Sequence, residues 1–376
     1  MINVLEVKDP SLWTIGIIDK AKSIIWHSVY YGVGDFEIYA QATEKNINLL
    51  QVGFFISNQD NDEIGIIEQI AYDFTPQDGY TITASGRFAK SILDRRIIYN
   101  LSGSTNTPTI LSGRVESAIR GVVSNNAINC AFDSSRNIPL LGLGIFQGIS
   151  ARIIDANGDP AQKQVSYQNL LEYTDSVLQE YGLSSKVSLN DISSKLLYTV
   201  YEGTDRSSDN TMGFEPIIFS VDYDNLNSSN YSYGTQTLKN AVLVGGAGEG
   251  LDRFYSLYKG SEEGLDLREL FVDAASINRT YKDSENIEHQ YSDEEYTEML
   301  NQQGRQSLKE YIINESFLAD ANGNYGIKRY NRDYYLGDIV TVQDNYIKKY
   351  INVRITEVTE VQDDSGYMVN IVFGDQ

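Results

Sequence analysis

Gly245-Gly246-Ala247-Gly248-Glu249-Gly250 is the segment whose residue types most invite chemistry, because glycine-rich turns after strands let backbone N–H groups close on a phosphate. Its glycines miss the dinucleotide spacing, no Lys-Ser or Lys-Thr follows, and Glu249 repels an anion, so a tight turn between two strands accounts for it. Asp155-Ala156-Asn157-Gly158-Asp159 and Asp320-Ala321-Asn322-Gly323-Asn324 alternate oxygen ligands as calcium loops do. Both place glycine too early and lack the distal Glu, and Asn-Gly favours a hairpin turn instead. The carboxylate neighbours Glu262-Glu263, Asp293-Glu294-Glu295 and Asp363-Asp364 have the residue types of a glycosidase, which sets an acid and a base across a cleft. Among 52 acidic residues such neighbours arise by chance. No Gly-x-Ser-x-Gly elbow, His-Glu-x-x-His or Cys-His arrangement anchors a hydrolase. The single Cys130 excludes an internal disulfide and reads as a packed thiol, and His27 and His289 are too few for a histidine metal cluster.

The elements around these residues fall into four stretches. Residues 1–100 are strand-rich, with alternation at Leu12 to Asp19, Ser23 to His27 and Gly34 to Ala40, and a short helix from Thr43 to Leu50 capped by Thr43. A helix over Gly86 to Arg96 closes this part, and a Ser, Gly, Thr and Asn linker from Leu101 to Pro108 follows. Residues 101–198 mix helices over 112–129 and 166–182, capped by Ser112 and Ser166 with Gly182 as the stop, and a strand over 148–154. Residues 199–300 return to strands, with Asn240 to Val244 and Arg253 to Tyr258 flanking the glycine turn. An acidic segment from Asp283 to Glu298 then enters a helix near Leu300 to Tyr311. Residues 301–376 end in strands.

A strand phrase occurs twice. Val52 to Ile56, Ile64 to Ile67, a Gln77-Asp78-Gly79 turn and Tyr80 to Gly86 parallel Gly337 to Val342, Ile351 to Ile355, an Asp364-Ser365-Gly366 turn and Tyr367 to Gly374. Duplication at the two ends predicts two small β-barrels with α+β domains inserted between them, a β-rich α+β chain.

Composition narrows the partners. A net charge of −22 repels polyanions, so tight nucleic-acid binding is excluded, whereas an acidic wall suits DNA that slides past without sticking. No run of about 20 apolar residues exists to span a membrane, and the start at Met1 alternates like a strand rather than a secretion signal. The 27 tyrosines supply strand propensity and rings with a polar tip.

Several phrases in order resemble the siphophage tail-hub family, which is similar to the amino-terminal hub region of tail-associated lysins and to baseplate hubs of contractile tails. They are Gly34-Asp35-Phe36-Glu37-Ile38, Ser85 through Arg96 with Arg87, Tyr201 through Ser207 with Asp205 and Arg206, and Phe219 through Leu226 with Asn225. Asn240 through Gly250 with Gly245 and Gly246, and Tyr335-Leu336-Gly337-Asp338-Ile339-Val340-Thr341, complete them. The resemblance implies a homotrimer whose two barrels per chain present six near-equivalent units to a sixfold tail tube, lining a channel for DNA at the tail tip or baseplate. It also implies contact with the distal tail protein and tape measure protein, and a virion location after synthesis in the bacterial cytoplasm. It offers no cofactor and no catalytic residue, only structural roles: Asp205 with Arg206 as a loop ion pair, and Asn225 as a turn or cap. The chain ends at the second barrel, so the lytic or receptor-binding extension of larger relatives is not expected. A carboxylate-dependent carbohydrate or cell-wall hydrolase is the alternative, and a sugar-binding receptor module a third reading.

Overall fold

The computed structural model describes residues 4–58, 61–102, 105–155, 158–282, 287–311, 314–323 and 328–374. It divides into two compact units. The first comprises Met1–Asp155, Pro160–Ser229 and Leu318–Gln376, and the second Ala156–Asp159 and Asn230–Phe317. The first unit opens with β1 (Leu5–Lys8), β2 (Thr14–Ile18), β3 (Ala21–Val29), β4 (Asp35–Gln41), α1 (Glu44–Leu49), β5 (Phe55–Asn58), β6 (Ile64–Ile66), β7 (Gln69–Thr75) and β8 (Gly79–Arg87). It continues with α2 (Val115–Val123), α3 (Leu170–Glu180), β9 (Ser184–Asn190), β10 (Lys195–Tyr201) and β11 (Ile218–Ser220). The second unit holds β12 (Ala241–Gly245), β13 (Tyr255–Lys259), β14 (Glu269–Asp273) and α4 (Asp293–Leu308). The first unit resumes with β15 (Ile339–Asp344), β16 (Lys349–Asp363) and β17 (Gly366–Gly374).

Alternation builds the strands: β4 buries Phe36, Ile38 and Ala40, and β3 buries Ile24, Trp26 and Ser28. Their inward rings meet the first residue after β8, with Trp26 4.8 Å from Phe88 and 5.7 Å from Phe36 between centroids. Neighbours in the large antiparallel sheet run β17-β16-β3-β4-β8-β7, and a second sheet runs β2-β1-β5-β6. Leu5 and Val7 of the second sheet share one core with Trp26 and Ile82 of the first.

The two expected barrels are not closed: among the described residues no sheet returns on itself. The reason lies in β16. Its residues 349–354 pair with β15, and after an irregularity between Ile355 and Glu357 its residues 357–363 pair with β3 of the opening segment. The closing strands thus occupy the edge that the opening segment would need to close on itself. Both Asp-and-Gly turns form, with Gly79 at φ +71° and Gly366 at φ +128°. Each closing strand pairs with its own hairpin partner, β8 with β7 and β17 with β16, but the second neighbours differ, β4 beside β8 and the strand Asn314–Asn322 beside β17.

Thr43 caps α1, its side chain accepting from Asn46 N. The helix expected over Gly86 to Arg96 is a 3-10 helix at Ala89–Arg95, because β8 runs on through Arg87. In the middle of the chain α2 and α3 pack against β9 and β10. Arg114, without a side-chain bond, precedes α2 in place of Ser112. Asn169 caps α3 in place of Ser166, its Oδ1 accepting from Leu171 N at 2.9 Å and Glu172 N at 3.2 Å. The strand expected over 148–154 reduces to single bridges at Arg152 and Ile154. The N–H groups of Gln147 and Ile149 instead donate to the fully buried Glu116 carboxylate, at 2.6 and 3.0 Å.

In the second unit α4 covers one face of β13-β12-β14, with Val242, Val244, Tyr296 and Leu300 between them. The helix starts earlier than expected, at a Ser292–Glu295 capping box, so Asp293, Glu294 and Glu295 stand at the positive end of its dipole. Residues 283–286 of the acidic segment, and residues 156, 157 and 324 of the two calcium-like phrases, lie outside the described residues.

Candidate functional site

Two phrases far apart in sequence lock together in the first unit around Asp338, which is 3% exposed. Its Oδ1 accepts from Thr204 N at 2.8 Å, and its Oδ2 from Tyr335 N and from Arg206 Nε, each at 3.0 Å. Backbone bonds stitch the same segments: Ile339 N donates to Thr204 O at 3.0 Å and Arg206 N to Ile339 O at 2.8 Å. Gly203 permits the crossing, since a Cβ there would lie 1.7 Å from Gly337 O. Gly337 itself has φ +91°, and its missing Cβ leaves room for the Tyr30 ring. Tyr30 Oη donates to Gly182 O at 3.0 Å and accepts from Gly203 N at 3.3 Å. Arg354 lies over that ring at 5.0 Å and donates from Nη1 to Gly337 O at 2.7 Å.

Burial pushes the Asp338 carboxyl above its ordinary range, against the pull of Thr204 N, Tyr335 N and Arg206. Burial likewise pushes the Tyr30 hydroxyl up to about 12. The expected ion pair between Asp205 and Arg206 is replaced: Arg206 pairs with Asp338, and Asp205 Oδ1 accepts from Ser207 N at 2.9 Å.

Beside this latch lies a polar cavity of about 420 Å³, lined by Glu63, Lys186, Tyr201, Tyr330, Tyr335 and Asp338 among others. Burial raises the Glu63 carboxyl to about 7, opposed by Lys90 and Lys186 and reinforced by Asp62. The Tyr201 and Tyr330 hydroxyls are pushed well up, by burial first and by nearby carboxylates, Glu63 among them. Both Asp338 oxygens are occupied by donors, and of the other carboxylates that line the cavity Asp62 accepts from Lys186 at 2.8 Å while Glu202 is exposed. Among the described residues no group of three or more His, Cys, Asp or Glu side chains is placed to hold a metal ion.

The other family-phrase residues sit elsewhere. Asp35 stands opposite Arg87 across β4 and β8, and Glu37 opposite Ser85. Gly34 lies against Phe88, where a Cβ would approach the ring to 2.7 Å. Arg87 grips Glu68 with two bonds of 2.9 and 3.0 Å and reaches Asp94 at 3.2 Å, which holds the Glu68 carboxyl below its usual range. Asn225 spans a turn, Oδ1 accepting from Ser220 N and Nδ2 donating to Ile218 O, both at 2.9 Å. In the second unit the carbonyls of Gly245 and Gly246 accept from Arg253 at 2.9 and 3.1 Å, and Ala247 N donates to Tyr296 Oη at 2.8 Å. These backbone groups serve the turn rather than a phosphate. Sequence reasoning missed Tyr30, Glu63, Tyr330 and Arg354, and reached Tyr201 only as the first residue of a family phrase. Only Arg354 left a signal, as a charge inside the apolar run Ile351 to Ile355.

This β-rich chain, whose separate segments are pinned by buried polar contacts, has the fold of phage tail proteins. The 43 kDa tail protein of prophage MuSo2 from Shewanella oneidensis superposes with a TM-score of 0.55 at 12% identity, covering 99% of this chain and 98% of that one. The tail protein from Neisseria meningitidis MC58 superposes with 0.54 at 13% identity, covering 98% and 95%. The chain belongs to the Siphovirus ReqiPepy6 Gp37-like protein family, whose model matches residues 4–375, and it is a bacteriophage tail protein. Nothing among curated proteins matches it.

Proposed function

We propose that this protein is a hub subunit at the tip or baseplate of a siphophage or prophage tail, where copies gather around the tail axis and leave a passage for DNA. The observation that carries this reading is the family match over residues 4–375, joined to a tail-protein fold that extends over both chains nearly end to end. The copies form a homotrimer in this reading, with residues 1–100 and 301–376 as the paired hub modules and 101–198 and 199–300 inserted between them. The distal tail protein, the tape measure protein and neighbouring baseplate proteins are the partners. Net charge supports passage of DNA without binding. The subunit is non-enzymatic: Arg206 and two backbone N–H groups occupy Asp338, and the glycine turn is filled by Arg253.

Labelling the chain with a small tag in tail-producing cells and imaging purified tails by electron microscopy tests this placement. Density at the tail end is expected. A label along the tube or on the head overturns the hub reading. Clearing of cell walls in a zymogram by the isolated chain, abolished by Glu63→Gln, restores the hydrolase.

A further inference from the structure

The cavity beside the latch holds more negative charge than the surrounding cations neutralise. Asp62, Glu63, Glu202 and Asp338 all line it. Two of them are paired, Asp62 with Lys186 at 2.8 Å and Asp338 with Arg206 at 3.0 Å. Lys90, whose field also reaches Glu63, is bonded to Asp175 at 2.9 Å. Among the described residues neither the Glu63 nor the Glu202 carboxylate accepts a hydrogen bond or stands in an ion pair, and Lys186 is the one Lys or Arg on the lining. An anion entering the cavity therefore finds no free cation and meets two bare carboxylates. Tyr201, Tyr330 and Tyr335 complete the wall, and Lys186 Nζ lies 5.4 Å from the centre of the Tyr201 ring, the placement by which an aromatic face holds a cation.

We propose that this cavity seats an organic cation, the ammonium or guanidinium group of a Lys or Arg side chain from an abutting tail protein or a free ion of the same chemistry, with Glu63 as its charge partner and the tyrosine rings as its walls. The volume of about 420 Å³ lies within the range of small-ligand pockets, about 300–1,000 Å³. A cation supplies the charge that Glu63 lacks, lies against rings that attract it, and has the sign that a chain of net charge −22 draws in. A neutral sugar would use the rings and leave Glu63 without a partner. The site belongs to the folded first unit and holds wherever along the tail the chain stands, so its failure leaves the hub reading intact.

Binding releases the proton that burial keeps on Glu63. With that carboxyl at about 7 before binding, about nine-tenths of the sites are protonated at pH 6 and about one-tenth at pH 8, so affinity rises about tenfold between them. Lys90, Lys186 and Asp62 face the carboxyl and set where this window falls. The Tyr201 and Tyr330 hydroxyls, raised by burial and by Glu63, with Glu360 adding at Tyr330, titrate above it.

Isothermal titration of the purified chain with n-butylguanidinium chloride, at an ionic strength fixed with sodium chloride, tests the site. Saturable binding with proton release is expected, about tenfold tighter at pH 8 than at pH 6, lost in Glu63→Gln and retained in Tyr330→Phe, which keeps the ring. Binding that is absent, unchanged by Glu63→Gln or flat across pH overturns the proposal, as does uptake of N-acetylglucosamine in place of the cation. Carbodiimide coupling of methylamine to Glu63, read by peptide mass, separates the two sources. Glu63 modified in the free chain but spared in assembled tails marks a neighbour's side chain, and Glu63 modified in both marks a free ion.

Discussion

Glu63→Gln should make the protein more stable at alkaline pH while leaving it nearly unchanged in acid. The folded-state carboxyl titrates at about 7 against 4.5 for the unreacted group, a difference of about 2.5 units, and each unit corresponds to roughly 1.4 kcal/mol. Glu63 is only partly exposed to the cavity, and with that screening discounted we expect roughly 1–3 kcal/mol. Between pH 4.5 and 7 the folded chain holds a proton that the unfolded chain has released. Stability therefore falls as pH rises through this window and is not recovered above it. The groups that face the carboxyl act in known directions: Lys90 and Lys186 oppose the shift and Asp62 adds to it. Tyr201 and Tyr330 titrate far above the window. Glutamine carries no proton to lose, so the variant lacks this slope. Asp338, raised by burial, slopes the same way from 3.8 upward but is common to both proteins and cancels. The assay is urea unfolding followed by tryptophan fluorescence from pH 4.5 to 8. Both tryptophans, Trp13 and Trp26, lie in the first unit, so the signal reports the unit that contains Glu63. Parallel pH profiles for the two proteins would refute the reasoning, because they would mean that Glu63 is ionised in the folded chain at its ordinary pKa.

Asp338→Asn should cost about 3–5 kcal/mol, since it leaves Arg206 without its charge partner and turns an amide toward three donors. A urea midpoint within experimental error of the parent would count against the latch. Glu116→Ala orphans the buried Ile149 N–H at about 1–3 kcal/mol and frees the part-buried Gln147 N–H at less, and hydrogen exchange should quicken first at Gln147 and Ile149. Equal exchange at those amides would show that the loop is held by other means. Ser292→Ala removes one half of the α4 capping box and should cost about 1 kcal/mol, seen as faster exchange in α4 with tryptophan fluorescence unchanged.

Local rules found the strands and helices but not their partners. Alternation at Phe36, Ile38 and Ala40 identifies the buried face of β4, and Thr43 announces α1, because both signals lie within a few residues. The start of α4 is legible in principle, since Ser292 and Glu295 spell a capping box, but the acidic run around them masks the apolar period until Leu300. Association of the ends was not legible. Each hairpin is written in its own turn, but the pairing of β16 with β3 joins residues more than 300 positions apart, such as Glu357 with Val29, and no local pattern specifies it. The same distance hid the partner of Arg206. Asp205 is adjacent in sequence, but its carboxylate is satisfied by Ser207 N, while Asp338 is brought in by a backbone crossing that Gly203 and Gly337 allow. Phrases quoted for family likeness marked Asp338 and Arg206 without revealing that they touch.

Charge decides which forces are left to hold copies together. The chain has 52 acidic side chains against 30 Lys and Arg, and several of those cations are spent internally: Arg206 on Asp338, Arg87 on Glu68 and Asp94, Lys90 on Asp175, Lys186 on Asp62. Copies of such a chain repel one another at long range, so in the proposed hub their association would have to come from apolar burial, with ion pairs correcting register. Salt screens the repulsion within about 10 Å at 0.1 M and leaves apolar burial intact. Contacts between copies should then tighten with added salt, the reverse of binding to a polyanion, where each phosphate contact weakens as counterions compete.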